Sequence, residues 1–425
     1  MSETIELEFD RFTPTGMAAS ATTDARGRTA LAWGVFPGER ARVAPIRVQQ
    51  GNLLCRVEEI LAASPNRIPP REGHYLSCSP WQTMHYAAQV RWKRQILESL
   101  FPHVPLGRFV PAETIWGYRN KLEFNFTEDG GRLHLAFHER ASRHRKLALP
   151  EGCRLAGETM NAAALEMVEH LNARGIGASS LKSLVVRGGA ATGEVLIALY
   201  VMEERLADLN FQPERSAGLA IIYSDPLSPA SVPTKILARR GPQQFTARVG
   251  GLELACPLEG FFQNHAEVFA CAIAEIRRYV PPAARVLELY SGVGSIGLAL
   301  CDLAGEIIAV ESNQASVAFA ERNRRSVGAE NYRPVWAQTE SCAEQLLDET
   351  DVVLMDPPRS GLPARLVAAL ARTRPGRIIY LACNPVTQSR DIALLGSGYR
   401  PVALAGFDFY PQTPHMESLV VLDRA

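Results

Sequence analysis

From Arg285 to the C-terminus the chain alternates short apolar runs with helical stretches, and few architectures accept that pattern. The runs are Arg285-Val-Leu-Glu-Leu289, Ile307-Ile-Ala-Val310, Arg333–Trp336, Asp351-Val-Val-Leu-Met355, Ile378–Ala382, Val402–Phe409 and Leu419–Leu422. Near-continuous apolar strands joined by helices read as a mostly parallel sheet covered on both faces. An open, doubly wound α/β sheet of this kind binds its ligands at the carboxyl ends of its strands. Polar residues that end these runs are therefore expected to converge on one edge.

Several such residues carry chemistry. Cys383 follows the apolar run Arg377-Ile-Ile-Tyr380 in Ala382-Cys-Asn-Pro385. Glu417 ends a proline-rich stretch, Phe409-Tyr-Pro-Gln-Thr-Pro-His-Met-Glu417. A thiol and a carboxylate on one edge supply a nucleophile and a base. Leu287-Glu-Leu-Tyr290-Ser-Gly292-Val-Gly294-Ser295-Ile-Gly297 leads from a strand toward a predicted helix, its glycines allowing close backbone approach to a ligand. Its Gly-x-Gly-x-x-Gly spacing also matches a dinucleotide loop. Glu311, at the end of the next strand, suits ribose hydroxyls in either case. Asp356-Pro-Pro-Arg359 favours a methyltransferase, because rigid acceptors beside a transferred methyl serve no purpose in a nicotinamide enzyme.

Upstream, residues 1–65 read as a small β-barrel of short alternating strands such as Ile5-Glu-Leu-Glu-Phe9 and Arg40-Ala-Arg-Val-Ala44. Ser64-Pro-Asn-Arg-Ile-Pro-Pro70 reads as a linker. Residues 66–255 read as a central α+β domain, with helices at about 85–100 and 155–174 and two β-hairpins, and residues 256–425 as the doubly wound domain. The run Arg140-Ala-Ser-Arg143-His144-Arg145-Lys146, with Tyr118, Phe124 and Phe126 nearby, reads as a surface for phosphates and stacked bases. Net charge is zero, so nucleic-acid binding has to come from local patches of this kind. No run approaches the ~20 apolar residues of a membrane span. The eight cysteines are scattered, which predicts free thiols and a cytoplasmic protein without a membrane partner.

Taken together, these motifs resemble the S-adenosylmethionine (SAM)-dependent RNA 5-methyluridine methyltransferases, over nearly the whole chain. Gly34-Val-Phe-Pro-Gly-Glu39 resembles that family's N-terminal TRAM barrel, and Gly117-Tyr-Arg-Asn-Lys121 a motif of its central domain. Gly260-Phe-Phe-Gln263-Asn, Leu289-Tyr290-Ser-Gly, Glu311 and Asp356-Pro-Pro-Arg resemble its SAM-binding motifs. The resemblance implies that Gln263, Tyr290, Ser295, Glu311 and Asp356 contact SAM, with Ser295 standing where the family often has asparagine. It implies Cys383 as the nucleophile that adds to uracil C6 and Glu417 as the base that removes the C5 proton. tRNA or ribosomal RNA is the implied partner. Phe262, Phe409 and Tyr410 are candidates for stacking on the extruded base, and His415 for orienting it or the Glu417 loop.

Many members of that family also hold a [4Fe–4S] cluster on four cysteines. Here only Cys78 and Cys153 stand at matching positions, so no cluster is expected, and Trp81 is expected to fill the space. Three other readings give different tests. A SAM-dependent enzyme acting on another base needs no cysteine. An RNA-binding or RNA-folding factor needs neither Cys383 nor SAM. A nicotinamide oxidoreductase rests on the glycine loop alone.

Overall fold

The computed structural model describes residues 4–24, 26–140, 142, 145–188, 192–209, 211, 213–228, 231–339 and 345–425. Arg143 and His144 of the basic run, and Cys342, lie outside the described residues. No described helix is long and apolar enough to cross a membrane.

The strands Ile5–Phe12, Ala18–Thr23, Thr29–Trp33, Asn52–Ala62 and Glu39–Gln49 close, in that order, into a barrel. Alternation turns Phe9, Ala32, Ala41, Val43 and Cys55 into its small core. Glu39 explains the motif that ends on it. Its buried carboxylate accepts the Phe36 amide (2.8 Å) and pairs with Arg67 (2.6 Å), while also accepting the Ser64 amide (3.0 Å). The proline-rich linker is thereby fastened to the barrel.

A second, seven-stranded sheet has the order Lys235–Arg240, Gly218–Tyr223, Val195–Val201, Leu181–Gly188, Lys121–Asp129, Arg132–His138, Lys146–Ala148. The two hairpins read from the sequence join through the antiparallel pairing of Leu184 with Phe124. The helix Glu158–Ala173 buries Met160, Ala164, Met167 and Leu171 in the same core as Leu122, Phe124 and Phe126. Tyr118, Phe124 and Phe126 therefore form no stacking surface. The basic run is also partly consumed: Arg140 lies over the Trp33 ring (4.3 Å), Arg145 pairs with Glu139 (3.0 Å), and Lys146 donates to the Phe126 carbonyl (2.8 Å).

The third sheet carries the site. Its order is Tyr332–Trp336, Glu306–Glu311, Arg285–Leu289, Val352–Met355, Arg377–Ala382, Glu417–Arg424, Tyr399–Phe407, Leu106–Val110. The first five strands are parallel, and Glu417–Arg424 is inserted antiparallel to its neighbours. The edge strand Leu106–Val110 comes from far upstream. Strand order reverses between Arg285–Leu289 and Val352–Met355, which opens a crevice at their carboxyl ends.

The sequence predicts a helix directly after the glycine loop, but residues Gly297–Leu300 form only a short 3-10 turn. The buried Glu288 carboxyl accepts the Gly297 amide (3.0 Å) and holds it against the preceding strand. A Cβ on Gly297 would lie 2.2 Å from Glu288 Oε2, so only glycine fits there.

Candidate active site

Sheet register brings the two reacting candidates together. Ala382 pairs with Ser418 across antiparallel strands, so Cys383 and Glu417, one step beyond, stand opposite each other at the mouth of that ladder. Asp356 follows Met355, whose strand pairs in parallel with Arg377–Ala382. Tyr290 and Glu311 end the next strands on the same edge. Cys383 precedes the helix Pro385–Leu395, which opens with proline in its first turn.

Burial sets the charge state of this edge. Glu417 is fully buried, and neither of its carboxyl oxygens has a hydrogen-bond partner among the described residues. Burial, reinforced by the Asp356 charge, pushes its pKa well above the usual carboxylate range, and Arg359 opposes this. Burial pushes Asp356 up to about 7, against the pull of its hydrogen bond from Gln263. The Cys383 thiol is pushed up to about 12, first by burial and then by the charges of Glu417 and Asp356, again with Arg359 acting the other way. Glu417 and Cys383 thus hold their protons at neutral pH in the free site, while Asp356 is close to half ionised.

This has a measurable consequence. Alkylation of Cys383 in the ligand-free protein is expected to be slow at pH 7. Because the thiolate fraction rises about tenfold per pH unit below the thiol pKa, the rate should rise about tenfold per unit from pH 7 to 10. Peptide mapping of an iodoacetamide time course reads Cys383 separately from the other thiols. A plateau near pH 8 would contradict the burial argument.

Arg359 and His415 form the rim. Burial, then the charges of Arg359, Lys93, Arg119 and Arg140, push the His415 imidazole down to about 3. A neutral ring leaves Nδ1 free to accept from the Arg359 guanidinium, 3.1 Å away. His415 therefore contacts Arg359 at the rim.

The loop that delivers Glu417 is clamped by the helix Tyr86–Leu100. Gln89 accepts the Gln412 amide (2.9 Å) and donates to the Gln412 side chain (2.7 Å). Lys93 makes a fully buried ion pair with Asp408 (2.6 Å) and donates to the Tyr410 carbonyl (3.1 Å), while Tyr86 donates to the other Asp408 oxygen (2.9 Å). The barrel closes on the same loop: a Cβ on Gly16 would lie 2.0 Å from Pro414. Trp81 is buried against Phe12 (4.6 Å) and donates to the Gly16 carbonyl (3.1 Å). Lys93→Met strands the Asp408 charge and is expected to cost about 3–5 kcal/mol. Thermal denaturation should show a clear loss that Lys93→Met/Asp408→Leu partly restores. An unchanged single variant would show that the pair is not needed.

Four of the five proposed cofactor residues line one cleft with the glycine loop, and Glu311 lies beside it. Gln263, Tyr290, Ser291, Gly292, Ser295 and Asp356 face it. Gln263 donates to Asp356 Oδ2 (2.9 Å), and its carbonyl accepts from Asn120 (2.7 Å), which ties the Gly117–Lys121 motif to the cleft. Glu311 accepts the amides of Gly292 (3.0 Å) and Asn313 (2.7 Å). Tyr290 has a left-handed backbone (φ 63°), a strained state for a bulky residue. Gln263 Oε1 and Ser291 Oγ are buried without hydrogen-bond partners among the described residues, and Gly292 has open space where a Cβ would stand. Unused polar atoms beside an unobstructed backbone fit a polar cofactor such as SAM.

Two expected stacking groups are core residues. Phe262 and Phe409 pack edge-on against Phe269 (6.1 and 5.9 Å) and are buried. Tyr410 stands edge-on to His415 (6.2 Å), and Phe261 is the exposed aromatic at the cleft. Glu288 was missed because a single acid inside a strand reads as one outward-facing residue. It is buried, accepts from Tyr332 (3.2 Å), and is pushed up to about 8 by burial.

The comparisons with known proteins concern the whole chain and its fold. Residues 259–425 match the family described as tRNA (Uracil-5-)-methyltransferase. An RNA methyltransferase of Enterococcus faecalis is 26% identical, over 92% of this chain and 91% of its own. The tRNA (uracil(54)-C(5))-methyltransferase of Pyrococcus abyssi is 27% identical, over 91% and 94%. A crystal structure of the Pyrococcus abyssi tRNA (uracil-54, C5)-methyltransferase in complex with S-adenosyl-L-homocysteine superposes with a TM-score of 0.80, at 24% identity, covering 98% of this chain and 99% of that one. With the matched C-terminal segment, RNA methyltransferase relatives over nearly the full length and a shared fold, the chain is similar to the SAM-dependent RNA (uracil-C5) methyltransferases.

Proposed function

We propose that this enzyme methylates C5 of a uridine in tRNA or ribosomal RNA through a covalent intermediate on Cys383. The observation that carries the reading is the register that sets the Cys383 thiol opposite the buried, unpartnered Glu417 carboxyl. Uracil C5 is a weak nucleophile. Once the Cys383 proton has left, the thiolate adds to C6 and forms the S–C6 bond, and the ring electrons shift to an enolate that makes C5 nucleophilic. SAM, when bound by Gln263, Tyr290, Ser295, Glu311 and Asp356, supplies the electrophilic methyl group and a positive charge. Glu417, ionised once its own proton has left, then takes the C5 proton, the S–C6 bond breaks, and Cys383 is released as thiolate. Arg359 favours the ionised form of both groups, so it assists both the addition and the proton removal.

The target uridine leaves its stack to reach an edge enclosed by the barrel and the Phe409–Glu417 loop. Arg359 at the rim provides positive charge for the RNA backbone, although the net charge is zero. The scattered free thiols among the described residues support a reducing cytoplasm.

Methyl-labelled SAM incubated with separate pools of unmodified tRNA and ribosomal RNA, followed by nucleoside mass spectrometry, tests the reaction. Labelled 5-methyluridine in one pool supports the proposal and selects the RNA. Label on another nucleoside overturns it.

A further inference from the structure

A cavity of about 940 Å³ lies away from the proposed catalytic edge and is lined in part by Glu72, His74, Gly117, Leu149, Arg154 and Asn161. Beside it, one ligand atom each from the lining residues Glu72 and His74 and from Cys78 and Cys153 falls within 4.8 Å of the others. Glu72 Oε2 is 3.2 Å from His74 Nε2; Glu72 Oε1 is 3.5 Å from Cys78 Sγ and 3.9 Å from Cys153 Sγ. The group is secluded: Cys153 is 1% exposed and His74 9%. The buried His74 ring interacts with Glu72 and Cys78, the other members of the group on its own segment.

Such clusters fit some metals and not others. A [4Fe–4S] core takes four thiolates. Only two are present here, joined by a carboxylate and an imidazole, and four donors this close enclose a single ion. Bonds of about 2.0–2.3 Å to a tetrahedral zinc ion place its ligands about 3.3–3.8 Å apart, close to the spacing seen. Thiolate with imidazole in a four-donor set favours zinc over hard cations. The surroundings hold the ligands in place. Asn161 accepts the Cys153 amide (2.9 Å) and donates to its carbonyl (3.0 Å), and Glu72 accepts the Arg154 amide (2.9 Å). Ser79 Oγ lies 3.0 Å from Cys78 Sγ.

We infer that Glu72, His74, Cys78 and Cys153 bind a single divalent cation of the zinc class in a closed, tetrahedral site. All four positions are filled by protein, so the role is structural. The ion staples the segment ahead of the helix Tyr86–Leu100 to the loop ahead of the helix Glu158–Ala173. The first of these helices clamps the Glu417 loop, and the Gly117 and Arg119 amides donate to the Arg154 and Leu155 carbonyls beside the site. Metal loading therefore stiffens the ground on which the proposed active site rests.

The test uses the full chain. Protein from medium supplied with both zinc and iron is assayed for metals and acid-labile sulfide, then stripped and titrated with Zn²⁺ or Co²⁺ alone. About one zinc per chain without sulfide is expected, together with a tetrahedral cobalt–thiolate absorption spectrum and a higher melting temperature on zinc addition. His74→Ala and Cys78→Ser should weaken zinc binding by about 100-fold or more, while Cys271→Ser leaves it unchanged. The wild-type cobalt spectrum decides the matter if either variant fails to fold. Failure of the stripped wild-type protein to take up either ion, iron and sulfide in cluster proportions, or a native Cys78–Cys153 disulfide would each overturn the assignment.

Discussion

Cys383→Ala is expected to lower methyl transfer to uridine by about 10⁴-fold or more, the scale seen when a covalent nucleophile is removed. Without addition at C6, C5 has no enolate from which to attack. The substitution trims a partly exposed side chain at a strand end, and the neighbouring Ala382 and Asn384 keep their places in the ladder and at the helix start. Binding of SAM should survive, because its proposed contacts lie on other strands. Single-turnover methylation alongside a direct SAM-binding measurement separates the two effects. Activity within about tenfold of wild type would move the enzyme to a mechanism without a cysteine nucleophile.

Glu417→Gln is expected to stop the reaction later. Thiol addition and methyl transfer do not require the carboxylate, whereas loss of the C5 proton does. The product should be an accumulated protein–RNA species, visible as a slow band on a denaturing gel and absent from Cys383→Ala/Glu417→Gln. The buried site tolerates the amide in shape. Glu417 has no partner among the described residues, so glutamine breaks no hydrogen bond seen in the free protein. Removing an acid beside Cys383 also removes one cause of its raised pKa, so addition should be no harder than in the wild type.

Much of this site was legible in the sequence. Cys383, Asp356, Tyr290 and Glu311 end apolar runs, and runs in a parallel sheet end on one edge. The antiparallel insertion of Glu417–Arg424 was not legible. Leu419–Leu422 reads as a strand of either direction, and only the pairing of Ala382 with Ser418 shows that Glu417 faces Cys383. The aromatic residues were misread for a different reason. Leu122, Phe124 and Phe126 recur with period two, the spacing of one strand face, and that face is core. The period carried the answer, but the adjacent basic run drew the reading toward RNA. Glu72 and His74 escaped notice because their partners Cys78 and Cys153 are brought to them by the fold, not by a recognisable ligand spacing. Glu288 escaped because the sequence does not show which face of its strand is covered by Tyr332.

Mass spectrometry of the trapped complex tests the central claim most directly. Glu417→Gln would be incubated with methyl-labelled SAM and substrate RNA, digested with nuclease and protease, and its cross-linked peptide sequenced. The account predicts one uridine nucleotide carrying the labelled methyl, joined to the peptide through Cys383. A methylated nucleotide on another residue, or completed 5-methyluridine release with no adduct, would contradict the pairing of Cys383 as nucleophile with Glu417 as base.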